Sequence, residues 1–218
     1  MKSVGIVGNG PANLLPDLLL FKGKIDIWIG ADRGAYTLTE KDIPVEYAVG
    51  DFDSITDNEK LLMEQNTKYM EEYPSEKDET DIEIALNKAF ELEPENIYLF
   101  GVTGGRIDHE LINIQLLYLI RNKGINGYVV DKSNSIEMAF PGTHTILKNE
   151  AYPYISFIPF TKVVEGINLK GFYYPLENAN VSWGSTRCIS NKLLSKKGTF
   201  SFEKGILLLV KSCDTIQA

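Results

Sequence analysis

The chain has 218 residues, 44% hydrophobic and 24% charged, with a formal net charge of −8 at pH 7; such a length buries a sizeable core, and such proportions exclude disordered and fibrous classes. The acidic balance argues against nucleic acid as a partner, because phosphate backbones need a basic face, and an anionic substrate would have to arrive with its own cation. Two cysteines, Cys188 and Cys213, are too few for a disulfide framework and read as buried free thiols; with no signal peptide at the N-terminus and no apolar run near the roughly 18 residues of a membrane span, they predict a reducing, cytoplasmic location.

Over roughly the first 130 residues, short apolar runs alternate with segments of helical period, the signature of βα units and a mainly parallel sheet. Strands are expected at 3–7, 25–30, 46–49, 68–72, 97–101 and 127–131, and helices at 11–22, 34–42, 57–66, 79–92 and 107–122. Thr56 and Glu59 make a capping box for the third helix. Asp78 reads as N-cap of the fourth, with Asp81 three residues later completing its first turn. From Ser133 onward, Pro, Gly and aromatic residues become frequent and no helical period stands out. Tyr154–Phe160 and Gly205–Lys211 read as strands, and turn signals such as Pro141-Gly142 suggest an antiparallel sandwich or barrel. The expected class is α/β plus all-β: a Rossmann-like parallel-sheet domain over residues 1–131, then a β-sandwich domain over 132–218.

The chemistry-bearing segments fall where strands hand over to helices, the edge at which open α/β sheets bind ligands. If the chain is still extended after strand 46–49, Asp51 and Asp53 share one face and make a metal clamp; a solvated loop is the competing reading. Lys77, Asp78 and Asp81 precede a helix, where capping explains the acids when they are taken alone, and Lys77 can meet a phosphate oxygen. Gly101–Glu110 allows the backbone N–H groups of Gly104 and Gly105 to face an anion at a helix N-terminus, Arg106 to grip the same phosphates and Asp108 to ligate a cation bridging them; an ordinary glycine-rich βα loop with an acidic first turn is the competing reading. His109 reads as a packed or capping histidine, and His144 carries no role. Gly8–Asn13 is an imperfect dinucleotide fingerprint with Asp32 near the place of a ribose-binding acid. Asp32 and Gly34 belong to one more loop at that edge. Helix capping alone does not explain so many acid-rich and glycine-rich loops together, whereas a Mg²⁺–nucleotide site does, since Mg²⁺ is held by one or two carboxylates with substrate phosphates.

In order and spacing, Asp32-Arg33-Gly34-Ala35, Gly50-Asp51-Phe52-Asp53-Ser54, Lys77-Asp78-Glu79-Thr80-Asp81 and Thr103-Gly104-Gly105-Arg106-Ile107-Asp108-His109 resemble the motifs of the thiamine pyrophosphokinase family. The late Ser190-Asn191 pair resembles its thiamine-site motif. The resemblance implies an α/β catalytic domain joined to a β-sandwich, a homodimer with active sites between subunits, and the reaction of ATP with thiamine to give AMP and thiamine diphosphate. It implies that Asp51, Asp53, Asp81 and Asp108 surround Mg²⁺ and the ATP phosphates, with Asp78, Arg106 and the Gly104-Gly105 turn in support, and that Ser190 and Asn191 contact thiamine. Thiamine is a cationic aromatic suited to stacking, for which Tyr174 and Trp183 are candidates. Two departures stand out: Arg33 where many members carry glycine, and Arg187-Cys188-Ile189 before the Ser-Asn pair. Alternatives are a pyrophosphokinase for another hydroxymethyl heterocycle such as a pterin, a nucleotide- or thiamine-sensing module, and an NAD-dependent oxidoreductase.

Overall fold

Ser3–Val7 is buried at every position, the pattern of a strand covered on both faces, and forms the central strand β1. The structure, a computed structural model, describes residues 2–214. The chain divides into two units, Met1–Lys132 and Ser133–Ala218. In the first, β2 (Ile27–Ala31), β3 (Val45–Gly50), β4 (Thr67–Glu72), β5 (Asn96–Phe100) and β6 (Asn126–Val130) join β1 in the order β4-β3-β2-β1-β5-β6. Neighbouring strands in that order all run parallel. Helices α1 (Arg33–Glu40), α2 (Asp57–Asn66), α3 (Asp81–Glu91) and α4 (Ile107–Asn122) lie between the strands. Because β2 pairs with one edge of β1 and β5 with the other, the strand order reverses at β1, and a crevice opens there at the carboxyl ends.

One helix expected from the sequence is absent. Residues 11–22 form turns and a short 3-10 helix, Leu18–Phe21. Pro16 interrupts the apolar pattern, and Asp17 caps the 3-10 turn by accepting from Leu19 N at 3.0 Å. Without a full helix after Gly8–Asn13, that loop lacks the helix N-terminus on which a dinucleotide reading depends. The start of α3 also differs. Thr80, not Asp78, is the N-cap, its hydroxyl accepting from Glu83 N at 3.2 Å, and Asp78 is exposed in the preceding loop. The capping box at Thr56 and Glu59 is formed.

Close packing of α1 on the sheet depends on Gly34. A Cβ there would lie 1.9 Å from the carbonyl oxygen of Val7, so only glycine lets the first turn of α1 rest against β1. Around it the core gathers Trp28, Phe52, Tyr98 and Phe100 with aliphatic residues of β1, β3 and α1.

The second unit is all-β: β7 (Asn134–Ala139), β8 (Gly142–Leu147), β9 (Tyr154–Pro159), β10 (Val163–Lys170), β11 (Leu176–Ser182), β12 (Lys197–Phe202) and β13 (Leu207–Ser212). Two antiparallel sheets, β7-β13-β9 and β11-β10-β12-β8, enclose one core. Alternation turns Gly198, Phe200 and Phe202 of β12 inward, where Phe157 meets Phe200 and Phe172 edge-on at 5.0 and 5.5 Å between ring centroids. Cys188 is buried in this core, which raises its thiol pKa by desolvation; Cys213 is only half-buried, contrary to expectation. Among the described residues no helix is long and apolar enough to cross a membrane.

Candidate active site

At the β1/β5 crevice a cavity of about 510 Å³ opens, and its walls come from every strand-to-helix junction singled out in the sequence. Asn9 and Gly10 enter it because Gly10 N donates to Gly101 O at 2.7 Å, clasping the loop after β1 to the loop after β5. The sequence offers Gly8–Asn13 as an imperfect dinucleotide fingerprint, whereas Asn113 and His109, the latter read as packed or capping but exposed at the cavity, are not among the expected site residues. Asn113 is buried within α4 and donates to Val102 O at 3.0 Å. A polar side chain on the otherwise apolar packed face of α4 is its only sequence signal.

Asp32 ends β2 in an unusual conformation, φ 49° and ψ −126°, which costs a non-glycine residue energy and recurs at functional positions. Its Oδ2 accepts from Ser54 Oγ at 2.9 Å, while Oδ1 is buried with no hydrogen-bond partner. Such an orphaned acceptor at a cavity wall suits a ligand donor or a cation. Gly34 does not line the cavity and serves packing. Arg33 turns away from it: its guanidinium binds Glu59 at 2.7 Å and Ser54 O at 2.9 Å and lies over Tyr36. The departure from glycine therefore ties the loop after β2 to the loop after β3. The same contact raises the Arg33 pKa, and Glu59 is held low first by the Thr56 N–H and then by Arg33.

The chain does not stay extended through Asp51 and Asp53. Phe52 adopts φ 56° to bury its ring in the core, and Asp53 N folds back to donate to Asp51 Oδ1 at 3.1 Å. Asp51 consequently lines the cavity, whereas Asp53 turns to the neighbouring loop and accepts from Ser75 Oγ at 2.9 Å. Lys77 and Asp81 both line the cavity and pair at 2.7 Å, with Lys77 largely shielded from solvent. Asp78 lies outside it.

The glycine-rich loop is held from beneath by Thr103, whose hydroxyl donates to the buried carboxylate of Asp131 at 2.9 Å. Gly104, at φ 79°, donates its N–H to Glu110 Oε2 at 2.9 Å; Gly105 and Arg106 face the cavity. Arg106 is the N-cap of α4 and pairs with Asp108 through Nε to Oδ1 at 3.2 Å. Hydrogen bonding from Arg106 holds the Asp108 carboxyl below the usual aspartate range and raises Arg106 in turn. Asp108 itself stands outside the cavity wall. Three groups that could meet an anion thus meet an internal carboxylate: Lys77 with Asp81, Arg106 with Asp108, Gly104 with Glu110.

Of the four carboxylates implied as metal ligands, two line one cavity and two flank it, and among the described residues no three His, Cys, Asp or Glu side chains form a ready-made metal group. Mg²⁺ needs only one or two carboxylates besides phosphates and water. The hard oxygens of Asp51 and Asp81, with the unpartnered Asp32 Oδ1 on the same wall, fit that donor set.

The remaining expected residues belong to the second unit. Tyr174 and Trp183 are 58% and 62% exposed and stand at opposite ends of β11. Ser190 is exposed with φ 55°, and its N–H donates to Ser156 Oγ at 3.0 Å. Asn191 is 2% exposed, and its amide is engaged with backbone: Oδ1 accepts from Tyr174 N and Lys192 N, and Nδ2 donates to Tyr174 O.

Comparison with known proteins places both units. Residues 20–129 match the thiamin pyrophosphokinase catalytic domain, and residues 143–207 match the thiamin pyrophosphokinase vitamin B1 binding domain. The chain is 48% identical over 215 residues to the thiamine pyrophosphokinase of Bacillus subtilis (strain 168), covering 98% of this chain and all of the relative. A crystal structure of thiamine pyrophosphokinase from Bacillus subtilis superimposes with a TM-score of 0.92 at 46% identity, covering 98% of this chain and 100% of that one. Another, from Geobacillus thermodenitrificans, superimposes with a TM-score of 0.88 at 41% identity over 98% and 99% of the two chains. With both domain types in order and relatives matched along their whole length, the chain belongs to the thiamine pyrophosphokinase family.

Proposed function

We propose that the chain transfers the pyrophosphoryl group of ATP to the hydroxyl of thiamine, giving thiamine diphosphate and AMP, in a Mg²⁺-dependent reaction. The observation that carries this reading is the whole-length kinship to thiamine pyrophosphokinases, with the catalytic match falling on the unit that holds the acid-lined cavity. In this reading residues 1–131 bind Mg²⁺–ATP and residues 132–218 bind thiamine and support a homodimer with active sites between subunits, in the cytoplasm.

Lys77, Arg106 and the N–H groups of the Gly104-Gly105 turn bind the phosphates, which replace the internal carboxylates that Lys77, Arg106 and Gly104 now meet. Asp51 and Asp81 would hold Mg²⁺ from the cavity wall, and Asp53 and Asp108, here bonded to Ser75 and Arg106 beside that wall, would complete the acidic set around the metal and the ATP phosphates. When bound, Mg²⁺ offsets the negative charge of the phosphate oxygens. Asp32 offers its buried Oδ1 to the nucleotide, and Asp78 supports the Lys77 loop. Thiamine's hydroxyl attacks the β-phosphorus in line and AMP departs, with Arg106 offsetting charge that grows on the transferred group. Asp53 or Asp81 accepts the hydroxyl proton. Ser190 and the ring of Tyr174 form the thiamine side. The test is to incubate the protein with ATP, MgCl₂ and thiamine and resolve the products by chromatography. Equal amounts of AMP and thiamine diphosphate, lost on adding EDTA, support the proposal; ADP with thiamine monophosphate overturns it.

A further inference from the structure

The buried Asn191 sits in a segment with an unusual pairing pattern. Residues 188–194 belong to neither sheet of the second unit, yet they are hydrogen-bonded along both sides. On one side, Ile155 and Asn191 exchange two backbone hydrogen bonds, 2.8 and 2.9 Å, and Phe157 N donates to Cys188 O at 2.9 Å. Residues 188 to 191 thus take three steps against two in β9, a bulge whose extra residue is accommodated where Ser190 adopts φ 55°. On the other side, Leu194 N donates to Gly171 O at 3.0 Å and Tyr173 N to Lys192 O at 2.8 Å. Backbone pairing stops there. Tyr174 precedes Pro175, which biases it toward an extended conformation and leaves its own N–H and C=O as the last peptide groups in the row.

Asn191 supplies the pairing that the backbone does not continue. Its Oδ1 accepts from Tyr174 N at 3.0 Å and its Nδ2 donates to Tyr174 O at 2.8 Å, the same two-way exchange that its backbone makes with Ile155. Oδ1 also accepts from Lys192 N at 2.9 Å, which fixes the amide's orientation. One residue therefore joins β9 through its peptide and Tyr174 through a side chain that acts as a peptide unit. The Tyr174 ring, by contrast, is 58% exposed and is packed edge-on against Tyr173 at 4.9 Å.

We propose that Asn191 is a positioning residue: it does not touch thiamine but clamps the Tyr174 backbone, holding the exposed ring in place for the substrate's cationic aromatic part. This rests on the pyrophosphokinase reading for the identity of the substrate, but the clamp itself does not. An amide is needed here, because only a group with a donor and an acceptor in one plane satisfies both Tyr174 peptide groups.

Two measurements test it. In amide hydrogen exchange, Tyr174 N–H of the wild type is protected although its side chain is exposed; Asn191→Ala abolishes that protection and leaves Tyr173, held by Lys192 O, protected. In steady-state kinetics Asn191→Asp, which keeps the acceptor and the size but removes the donor, raises KM for thiamine about tenfold, while kcat and KM for ATP change less than about twofold. In a Tyr174→Ala background the same substitution adds less than about twofold, because both act on one contact. An unprotected Tyr174 amide in the wild type overturns the clamp even if Asn191→Ala fails to fold. A fall in kcat at unchanged KM, or effects of the two substitutions that multiply, overturns action through Tyr174. A wild type that makes no thiamine diphosphate sinks the substrate assignment, and exchange at Tyr174 then decides the clamp by itself.

Discussion

Replacing Gly34 with alanine joins stability and activity in one experiment. The added methyl would sit 1.9 Å from Val7 O, where ordinary contact begins at 3.4 Å, so α1 or β1 must yield by about 1.5 Å (3.4 less 1.9). Neither partner is a flexible tip: one is the backbone of the central strand, the other the first turn of a helix packed on it. Overpacking of this kind costs about 1–3 kcal/mol, and the better helix propensity of alanine recovers at most about 1. A net loss of about 1 kcal/mol lowers the urea midpoint by about 0.5 M for an m-value near 2 kcal/mol/M. The shift also moves Asp32, the residue that leads into α1, and a displacement of about 1 Å at a binding site can cost about a hundredfold in turnover. Gly23→Ala is the control, since nothing lies within 4 Å of a Cβ there. Urea unfolding with thiamine diphosphate formation on the same samples reads both effects. A Gly34→Ala protein that unfolds and turns over like wild type would refute the packing argument.

Three other outcomes are expected. Asp53→Asn keeps the hydrogen bond from Ser75 and the urea midpoint while turnover drops by about a hundredfold; near-native turnover removes Asp53 from the mechanism. Thr80→Ala costs about 1 kcal/mol by removing the cap of α3, whereas Asp78→Ala leaves the urea midpoint in place, and the reverse order would restore Asp78 as the cap. Asp108 titrates below the usual aspartate range because Arg106 bonds to it, so the pair's contribution is complete above the ordinary value and lost as pH falls through the lowered one. Arg106→Gln moves the Asp108 midpoint upward, as read by carboxyl NMR; an unmoved midpoint refutes the assigned cause.

The residues that could be read locally were those whose partners are near in sequence. The Thr56–Glu59 box, the periodic helix at 107–122 and the buried run at 3–7 each carry their cause within a few positions, and the structure forms them there. Differences arose where a distant or stronger neighbour decided. Pro16 broke a helix that apolar spacing suggested; Thr80 displaced Asp78 as a cap; burial of Phe52 bent the Asp51–Asp53 segment out of extension. Asn113 escaped a local reading because its place at the cavity depends on its bond to Val102 O, and the clasp of Gly10 to Gly101 gives the Gly8–Asn13 loop its place there without a full helix behind it.

By itself, the sequence determined the α/β-then-β class, the sheet edge at which acids and glycines collect, and the family, since periodicity and motif spacing are properties of neighbouring residues. Tertiary structure alone decided which carboxylates face the cavity, which cations are held by internal partners, and that Asn191 is bound to backbone rather than exposed. Those outcomes depend on hydrogen bonds between residues such as Asp53 and Ser75, or Asn191 and Tyr174, that are 22 and 17 positions apart. Folding brings such groups within bonding distance, and no local pattern encodes which of them meet.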